Sequence, residues 1–284
     1  MAKLLLGKEV TAALNERIKK NVAALQEKGI APKLAFVRVG ERPDDVSYER
    51  GAVKRCETLG VSYEKFVLPG DCSQEELMST IDRLNKDEEI HGILMFRPLP
   101  KHLDEDAVIA ALDPEKDVDG ITAGSMAGVF MGTNQGFPPC TPQACMEILD
   151  YYGIDCTGKE AVVIGRSLVV GKPAAMMLLK KNATVTLCHT RTVDMASVVK
   201  EADIVIVAAG KAGVVDGTYL SEGQIVIDVG IHVNEEGKLC GDVKFDEAEP
   251  IVDMITPVPG GVGSVTTSVL VGHVVEAAMR KCGK

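Results

Sequence analysis

The segment AVVIGRSLVVGKP, residues 161–173, holds the residues with the plainest chemical reading in this 284-residue chain. An apolar strand runs into Gly165, and the following helix carries Pro173 in its first turn, where a missing N–H costs nothing. Glycine at 165 permits a tight turn and Gly171 permits close approach of helix to strand, so the helix N-terminus offers backbone donors to a pyrophosphate. Ser167 stands at the middle glycine of G-x-G-x-x-G and the last glycine comes one residue late, so spacing alone leaves an ordinary strand-to-helix turn as the alternative. The next strand ends at His189, Thr190 and Arg191. A site for the non-phosphorylated nucleotide usually has an acid there for the ribose 2′-hydroxyl. Here no acid repels a 2′-phosphate, while Arg166 and Thr190, with Arg191 in reserve, could hold one by charge-assisted hydrogen bonds. NADP is the expected cofactor and NAD the alternative.

Other reactive side chains carry less. Cys140, His189 and Asp228 could form a nucleophile set, but Cys140 sits between prolines and nothing in the sequence sets a base beside it. His91, His102, His232 and His273 lack metal-ligand spacing and read as surface or packing residues, so no metal is expected. The eight cysteines are scattered without CxxC or CxxxH spacing, and read as reduced, mostly buried thiols of a cytoplasmic protein.

The elements that must position these residues alternate. Apolar residues at spacings of three and four predict a helix over 9–28, ending at Gly29. Strand-like runs follow at 33–40, 62–68 and 92–99, with helices at 46–59 and 74–86 between them, the second opened by Ser73 and Glu76 as a capping box. Residues 113–142 contain five Gly and four Pro and read as an irregular boundary or cleft lining, with no further strand and helix pair. A second alternating unit has strands at 161–165, 183–188, 203–210 and 224–230, with helices from Pro173 and around 194–202. Its strands are nearly all apolar, as in a parallel sheet buried on both faces. A hairpin around NEEG, a short strand at 253–258, the glycine-rich PGGVG and a helix over about 267–280 close the chain.

A chain of 284 residues with 46% apolar content builds one or two domains with a sizeable core. The formal net charge of −10 disfavours nucleic acid and anionic membranes as partners. The three-residue run Leu4 to Leu6 is too short for a signal sequence, and no stretch approaches the roughly 18 apolar residues of a membrane span.

Six motifs in order, DVDG (117–120), PCTP (139–142), GRSxxVGxP (165–173), TVTxCH (184–189), IVIDVGI (225–231) and PVPGGVG (257–263), resemble the methylenetetrahydrofolate dehydrogenase/cyclohydrolase family. The likeness runs from about residue 5 to 280. It implies a two-domain α/β enzyme: an N-terminal catalytic domain over 1–120, onto which the helix from about 267 to 284 packs back, and a Rossmann-type domain over 121–284 with a parallel sheet, the folate cleft lying between them. It implies a homodimer, with Gly165, Arg166, Ser167, Gly171, Thr190 and Ile231 at the cofactor and Tyr48, Asp119, Pro259, Gly260 and Gly261 at the folate. Tyr48 and Asp119 are the residues expected to take part in catalysis. An Asx turn is the alternative role for Asp119.

In such enzymes the methylene bridge of tetrahydrofolate loses hydride to the nicotinamide, a step governed by geometry that needs no proton transfer. Hydrolysis of the resulting methenyl cation does need protons moved. The family carries Tyr-x-x-x-Lys and a glutamine for that second step, whereas this chain has Ala52 four residues after Tyr48, and Phe96 at the glutamine position. Residues i and i+4 of a helix lie about 40° apart, whereas Lys54 stands about 120° from Tyr48, and Arg55 does not deprotonate near neutral pH. Ser264 and Val265 replace the usual Pro and Met after PGGVG. The resemblance therefore implies a dehydrogenase of one-carbon metabolism with weak or absent cyclohydrolase activity. A bend at Gly51 that brought Lys54 round would restore it. The competing readings are the full bifunctional enzyme, a Rossmann dehydrogenase for another metabolite, and a nucleotide- or folate-sensing module without chemistry.

Overall fold

The structure, a computed structural model, describes residues 1–283. In chain order its elements begin with β1 (Lys3–Leu4), α1 (Gly7–Gln26), β2 (Lys33–Val39), α2 (Pro43–Leu59), β3 (Ser62–Leu68), α3 (Gln74–Lys86), β4 (Gly92–Met95), α4 (Glu105–Ala111), α5 (Ala123–Met131) and α6 (Cys140–Tyr151). They continue with β5 (Glu160–Ile164), α7 (Gly171–Lys180), β6 (Thr184–Cys188), α8 (Met195–Lys200), β7 (Ile204–Val207), β8 (Ile225–Asp228), β9 (His232–Val233), β10 (Leu239–Cys240), α9 (Phe245–Ala248), β11 (Met254–Ile255) and α10 (Thr266–Cys282). The last residue of the expected C-terminal helix, Lys284, lies outside the described residues.

Two compact units result. The first comprises Ala13–Cys140 and the chain from Thr267 onward, the second Met1–Ala12 and Thr141–Thr266. The division expected at residue 120 is therefore displaced in two places. Residues 1–12 count with the second unit because β1 pairs in parallel with β11, Lys3 opposite Met254 and Leu4 opposite Ile255. Residues 121–140 count with the first unit, where the buried Asp117 accepts hydrogen bonds from Ile121 N (3.0 Å), Thr122 N (2.7 Å) and Ser125 Oγ (2.6 Å) at the start of α5.

In the first unit a parallel sheet of order β3-β2-β4 packs Ala35, Val37, Ile93 and Met95 against Leu77, Ile81 and Leu84 of α3. The central strand β2 is buried almost throughout, whereas the edge strand β3 alternates between exposed and half-buried residues. Ser73 and Glu76 close the capping box of α3, Glu76 N donating to Ser73 Oγ (3.2 Å) and Ser73 N to the Glu76 carboxylate (2.8 Å). The strand expected over 92–99 ends at Met95. Phe96 N still donates to Val37 O at 2.9 Å, but Pro98 has no N–H to extend the ladder.

α2 is tied to this sheet by a buried ion pair: Glu49 accepts from Arg38 Nε at 3.0 Å and meets Lys65 Nζ at 2.8 Å. Burial opposes the Glu49 charge, yet the hydrogen bonds from Lys65 and Arg38 hold its pKa below the ordinary value.

The reading of 113–142 as irregular needs correction, since it contains α5 and the start of α6. Thr122 caps α5 by accepting from Ser125 N at 3.1 Å. Gly128, which reads as a breaker, sits within the helix because a Cβ there would stand 2.0 Å from Gln135 O in the returning loop. α4 also escaped the sequence reading, although Asp104 caps it through Ala107 N at 3.0 Å.

The second unit is a parallel sheet of order β1-β11-β8-β7-β5-β6 beside the antiparallel hairpin β9-β10. Val162, Ile164, Val205, Val207, Val226 and Ile255 form its core. β7, at the middle, is buried at every residue. Among the described residues no helix is long and apolar enough to cross a membrane.

Candidate functional site

In the second unit the chain passes from β5 through Gly165 into α7. Gly165 has φ +124°, and a Cβ there would lie 2.1 Å from Ala208 O. A Cβ at Gly171 would lie 2.0 Å from Gly165 O. Both positions thus demand glycine. Ser167, at the middle-glycine position, builds the turn itself: its Oγ accepts from Val170 N at 3.1 Å and its carbonyl accepts from Lys172 N at 3.0 Å. Arg166, Ser167, Thr190 and Arg191 are exposed. The 189–192 turn is held by His189 N donating to Thr192 Oγ1 (2.9 Å) and Arg191 N donating to His189 Nδ1 (3.0 Å). A cradle without room for Cβ, a ten-residue helix starting at Gly171 and exposed Arg and Thr side chains together fit a dinucleotide phosphate group.

Ile231, 58% exposed, borders a hollow of about 260 Å³ that Pro259, Gly260 and Gly261 also line. The glycine turn is fixed by Ser264 Oγ donating to Gly261 O (2.6 Å) and Gly7 N donating to Gly260 O (2.8 Å). Asp228, at the same hollow, accepts from the amides of Gly230 (2.9 Å), Asp242 (3.0 Å) and Val243 (2.9 Å). Burial pushes its carboxyl up to about 6 against those three amides. It organises its loop.

In the first unit the structure brings Tyr48 and Asp119 together. The DVDG turn is built by the fully buried Asp117, which leaves Asp119, two residues on, half-buried and clear of that network. Burial and the charge of Asp117 push the Asp119 carboxyl up to about 6, against the pull of the Cys140 thiol and Arg97. Tyr48 stands on the flank of α2 with 39% of its surface exposed, its ring edge-on to Phe96 at 6.1 Å and 79°. Burial raises its pKa well above the ordinary value, and Cys140 and Asp119 add to the rise. Phe96 in turn stacks on Phe36 at 6.3 Å. Ala52 is fully buried on the stripe of α2 that also holds Glu49 and Cys56. α2 runs unbroken through Gly51, and Lys54 is exposed. Burial lowers the pKa of the half-buried Arg55.

Two residues beside Asp119 were not read from the sequence as site residues. Cys140 Sγ donates to Val118 O at 3.4 Å, and His273 of α10 donates from Nδ1 to the same carbonyl at 2.8 Å. Burial raises the Cys140 pKa well above the ordinary thiol value, and Asp119 and Asp117 raise it further. Of the nucleophile set of Cys140, His189 and Asp228, the Cys140 thiol donates to Val118 O, His189 Nδ1 accepts from Arg191 N and the Asp228 carboxylate accepts from Gly230 N. His102 Nε2 lies 3.0 Å from Cys72 O and His232 Nε2 lies 2.7 Å from Asp242 Oδ1, while His91 Nδ1 accepts from Lys33 N at 3.3 Å. Among the described residues no group of three His, Cys, Asp or Glu is placed to hold a metal ion.

Residues 5–119 match the family model of the tetrahydrofolate dehydrogenase/cyclohydrolase catalytic domain, and residues 139–282 match its NAD(P)-binding domain. The bifunctional protein FolD of Carboxydothermus hydrogenoformans is 56% identical over 279 residues, 98% of this chain and 97% of its own. Among solved structures, the bifunctional FolD methylenetetrahydrofolate dehydrogenase/cyclohydrolase of Campylobacter jejuni superposes with a TM-score of 0.95 at 40% identity, covering 99% of this chain and 100% of that one. The Trypanosoma brucei dehydrogenase-cyclohydrolase, solved with NADP and an inhibitor, has a TM-score of 0.91 at 36% identity, covering 100% and 99%. Matched in both domains and along nearly its whole length, the chain belongs to the tetrahydrofolate dehydrogenase/cyclohydrolase family.

Proposed function

We propose that the protein is a cytoplasmic, homodimeric methylenetetrahydrofolate dehydrogenase that uses NADP and has little or no cyclohydrolase activity. The observation that carries this reading is the pair Ala52 and Phe96: the position of the family's lysine is a fully buried methyl group, and the position of its glutamine is a ring packed on Tyr48 and Phe36.

NADP, when bound, supplies the hydride acceptor. The chain's own part in that step is to bind and orient. Gly165, Ser167 and Gly171 shape the phosphate cradle, with Ile231 beside the hollow bordered by Pro259, Gly260 and Gly261. Arg166 and Thr190 are available to a 2′-phosphate, in keeping with the NADP held by the Trypanosoma brucei relative. The Asp119 carboxylate accepts from N–H donors of the folate ring, and Tyr48 supplies a ring face and a neutral hydroxyl. Hydride departure leaves a cation that its own flanking nitrogens stabilise, so correct placement is nearly all that is required.

Hydrolysis asks for more. Tyr48 does not ionise near neutral pH, Lys54 is turned to solvent, and Phe96 has no polar atom to tune a base. The relatives' names include both activities, so the test compares the two directly. Disappearance of methenyltetrahydrofolate absorbance is followed with and without enzyme, for wild type, for Ala52→Lys with Phe96→Gln, and for Lys54→Ala. Wild type near the spontaneous rate with a gain in the double substitution supports the reading, the span available being roughly 10² to 10⁴ in rate. A wild-type rate far above background that Lys54→Ala abolishes overturns it.

A further inference from the structure

Three segments of the second unit meet at one side chain: the loop after β7 (208–213), the chain after β8 (229–232) and the chain at the end of β10 (240–243). The first two follow the C-terminal ends of parallel strands, where open α/β sheets bind ligands. The β7 loop presses on the phosphate cradle, since a Cβ at Gly165 would lie 2.1 Å from Ala208 O, and the β8 segment carries Ile231. Asp242, fully buried, is bonded to both through its carboxylate: Oδ2 accepts from Gly210 N at 2.9 Å, and Oδ1 lies 2.7 Å from His232 Nε2. A carboxylate only accepts, so Nε2 is the protonated nitrogen of His232. Gly230 is pressed on the same group, for a Cβ there would stand 2.5 Å from Asp242 Oδ1. The backbone of Asp242 is held on both sides, its N donating to Asp228 Oδ1 at 3.0 Å and its O accepting from Val215 N at 3.0 Å.

We propose that Asp242 is a positioning residue for the coenzyme: its carboxylate fixes the tip of the β7 loop at Gly210 and the Ile231 segment at a set spacing beside the cradle. The proposal rests on the cradle at Gly165 being the NADP site. Asp242 is too deeply buried to touch a coenzyme, so it acts through the two segments it holds. Ala209 and Gly210 are exposed, and Gly210 turns the chain at φ +69°. The base of the loop has backbone ties of its own, Gly213 N donating to Gly241 O at 3.1 Å and Val214 N to Lys211 O at 3.4 Å, whereas Gly210 N is met by the carboxylate. Removing the carboxylate frees the tip and leaves the base in place, a change that falls on the coenzyme more than on the fold. An amide at position 242 would preserve the arrangement: its oxygen accepts from Gly210 N, and its NH₂ donates to His232 Nε2 in the other tautomer.

The test measures the Kd of NADPH by fluorescence titration and the KM values of NADP and methylenetetrahydrofolate by initial rates, at a temperature where each variant keeps the circular dichroism of wild type. Asp242→Ala is expected to raise the NADPH Kd and the NADP KM about tenfold, the order of one or two lost hydrogen bonds, while the folate KM moves by less than about twofold. Asp242→Asn should stay within about threefold of wild type. His232→Leu should raise the Kd about threefold and add nothing to Asp242→Ala in the double variant. No loss in Asp242→Ala, a loss shared equally by the folate, or an Asn variant as weak as the Ala variant overturns the proposal. If Asp242→Ala does not fold, His232→Leu decides by the same two readouts. Wild type that does not bind NADPH refutes the coenzyme site and the proposal with it, whereas binding that Gly171→Ala abolishes and Asp242→Ala leaves intact refutes only the role of Asp242.

Discussion

The Asp119 carboxyl sits where its charge is disfavoured, raised to about 6 by burial and by Asp117, and that shift acts on binding and on folding with opposite signs. On the proposed role, in which the ionised form accepts hydrogen bonds from folate, kcat/KM should fall about tenfold per pH unit below the folded pKa, measurable from initial rates between pH 7.5 and 5. For folding, the folded pKa lies above the unfolded value of about 3.9, so the carboxyl's contribution is fully present below about pH 4 and is lost as pH rises through about 6. Asp119→Asn should therefore melt closest to wild type near pH 5 and show its largest relative gain in Tm near pH 7.5. A constant difference across that range would contradict the assignment. Arg166 offers a separate test at the other unit. Arg166→Ala should weaken NADP by about 1.5 to 3 kcal/mol, the value of one charge-assisted hydrogen bond, with little effect on NAD; equal losses for both would remove the 2′-phosphate assignment.

At the scale of elements the phosphate cradle makes the sharpest demand. Gly171→Ala would set a methyl group 2.0 Å from Gly165 O, and neither partner can retreat without breaking the strand or the helix. Coenzyme affinity should collapse while the catalytic-domain unit keeps its fold, which calorimetry with and without NADP would register as loss of the coenzyme-induced rise in Tm. Much of this scale was readable in advance. Parallel strands buried on both faces leave unbroken apolar runs, and Ser73 with Glu76 marks a helix start in any context. α4 and α5 were missed for a shared physical reason: short helices gain most of their stability from packing and caps, and the glycines of α5 reflect a loop pressed against it that sequence does not display. The site follows the same rule. Tyr48 and Asp119 carry motif neighbours, whereas Cys140 and His273 stand 133 residues apart and acquire a joint meaning only through the carbonyl they share.

For the molecule as a whole, the six-stranded sheet ends at β1 and β6, and the adjoining hairpin β9-β10 exposes Val233 at 67% and Leu239 at 47%. Apolar side chains on a two-stranded ribbon invite a second copy. Light scattering at micromolar concentration should give about twice the 30.3 kDa of the single chain, and Val233→Glu should lower that mass. A single-chain mass for wild type would exclude the dimer.

The Glu49 anchor described with the fold bears on how the lineage of this enzyme can move. Bringing Lys54 to the azimuth of Ala52 requires α2 to roll by about 160°. That motion would draw Glu49 away from Arg38 and Lys65 and leave a buried charge alone, a loss of about 3 to 5 kcal/mol. The helix behaves as a keyed shaft. Drift in neighbouring loops or a gentle kink does not bring Lys54 to that azimuth, so a lysine presented there comes from substitution at position 52 itself, which the Ala52→Lys variant supplies.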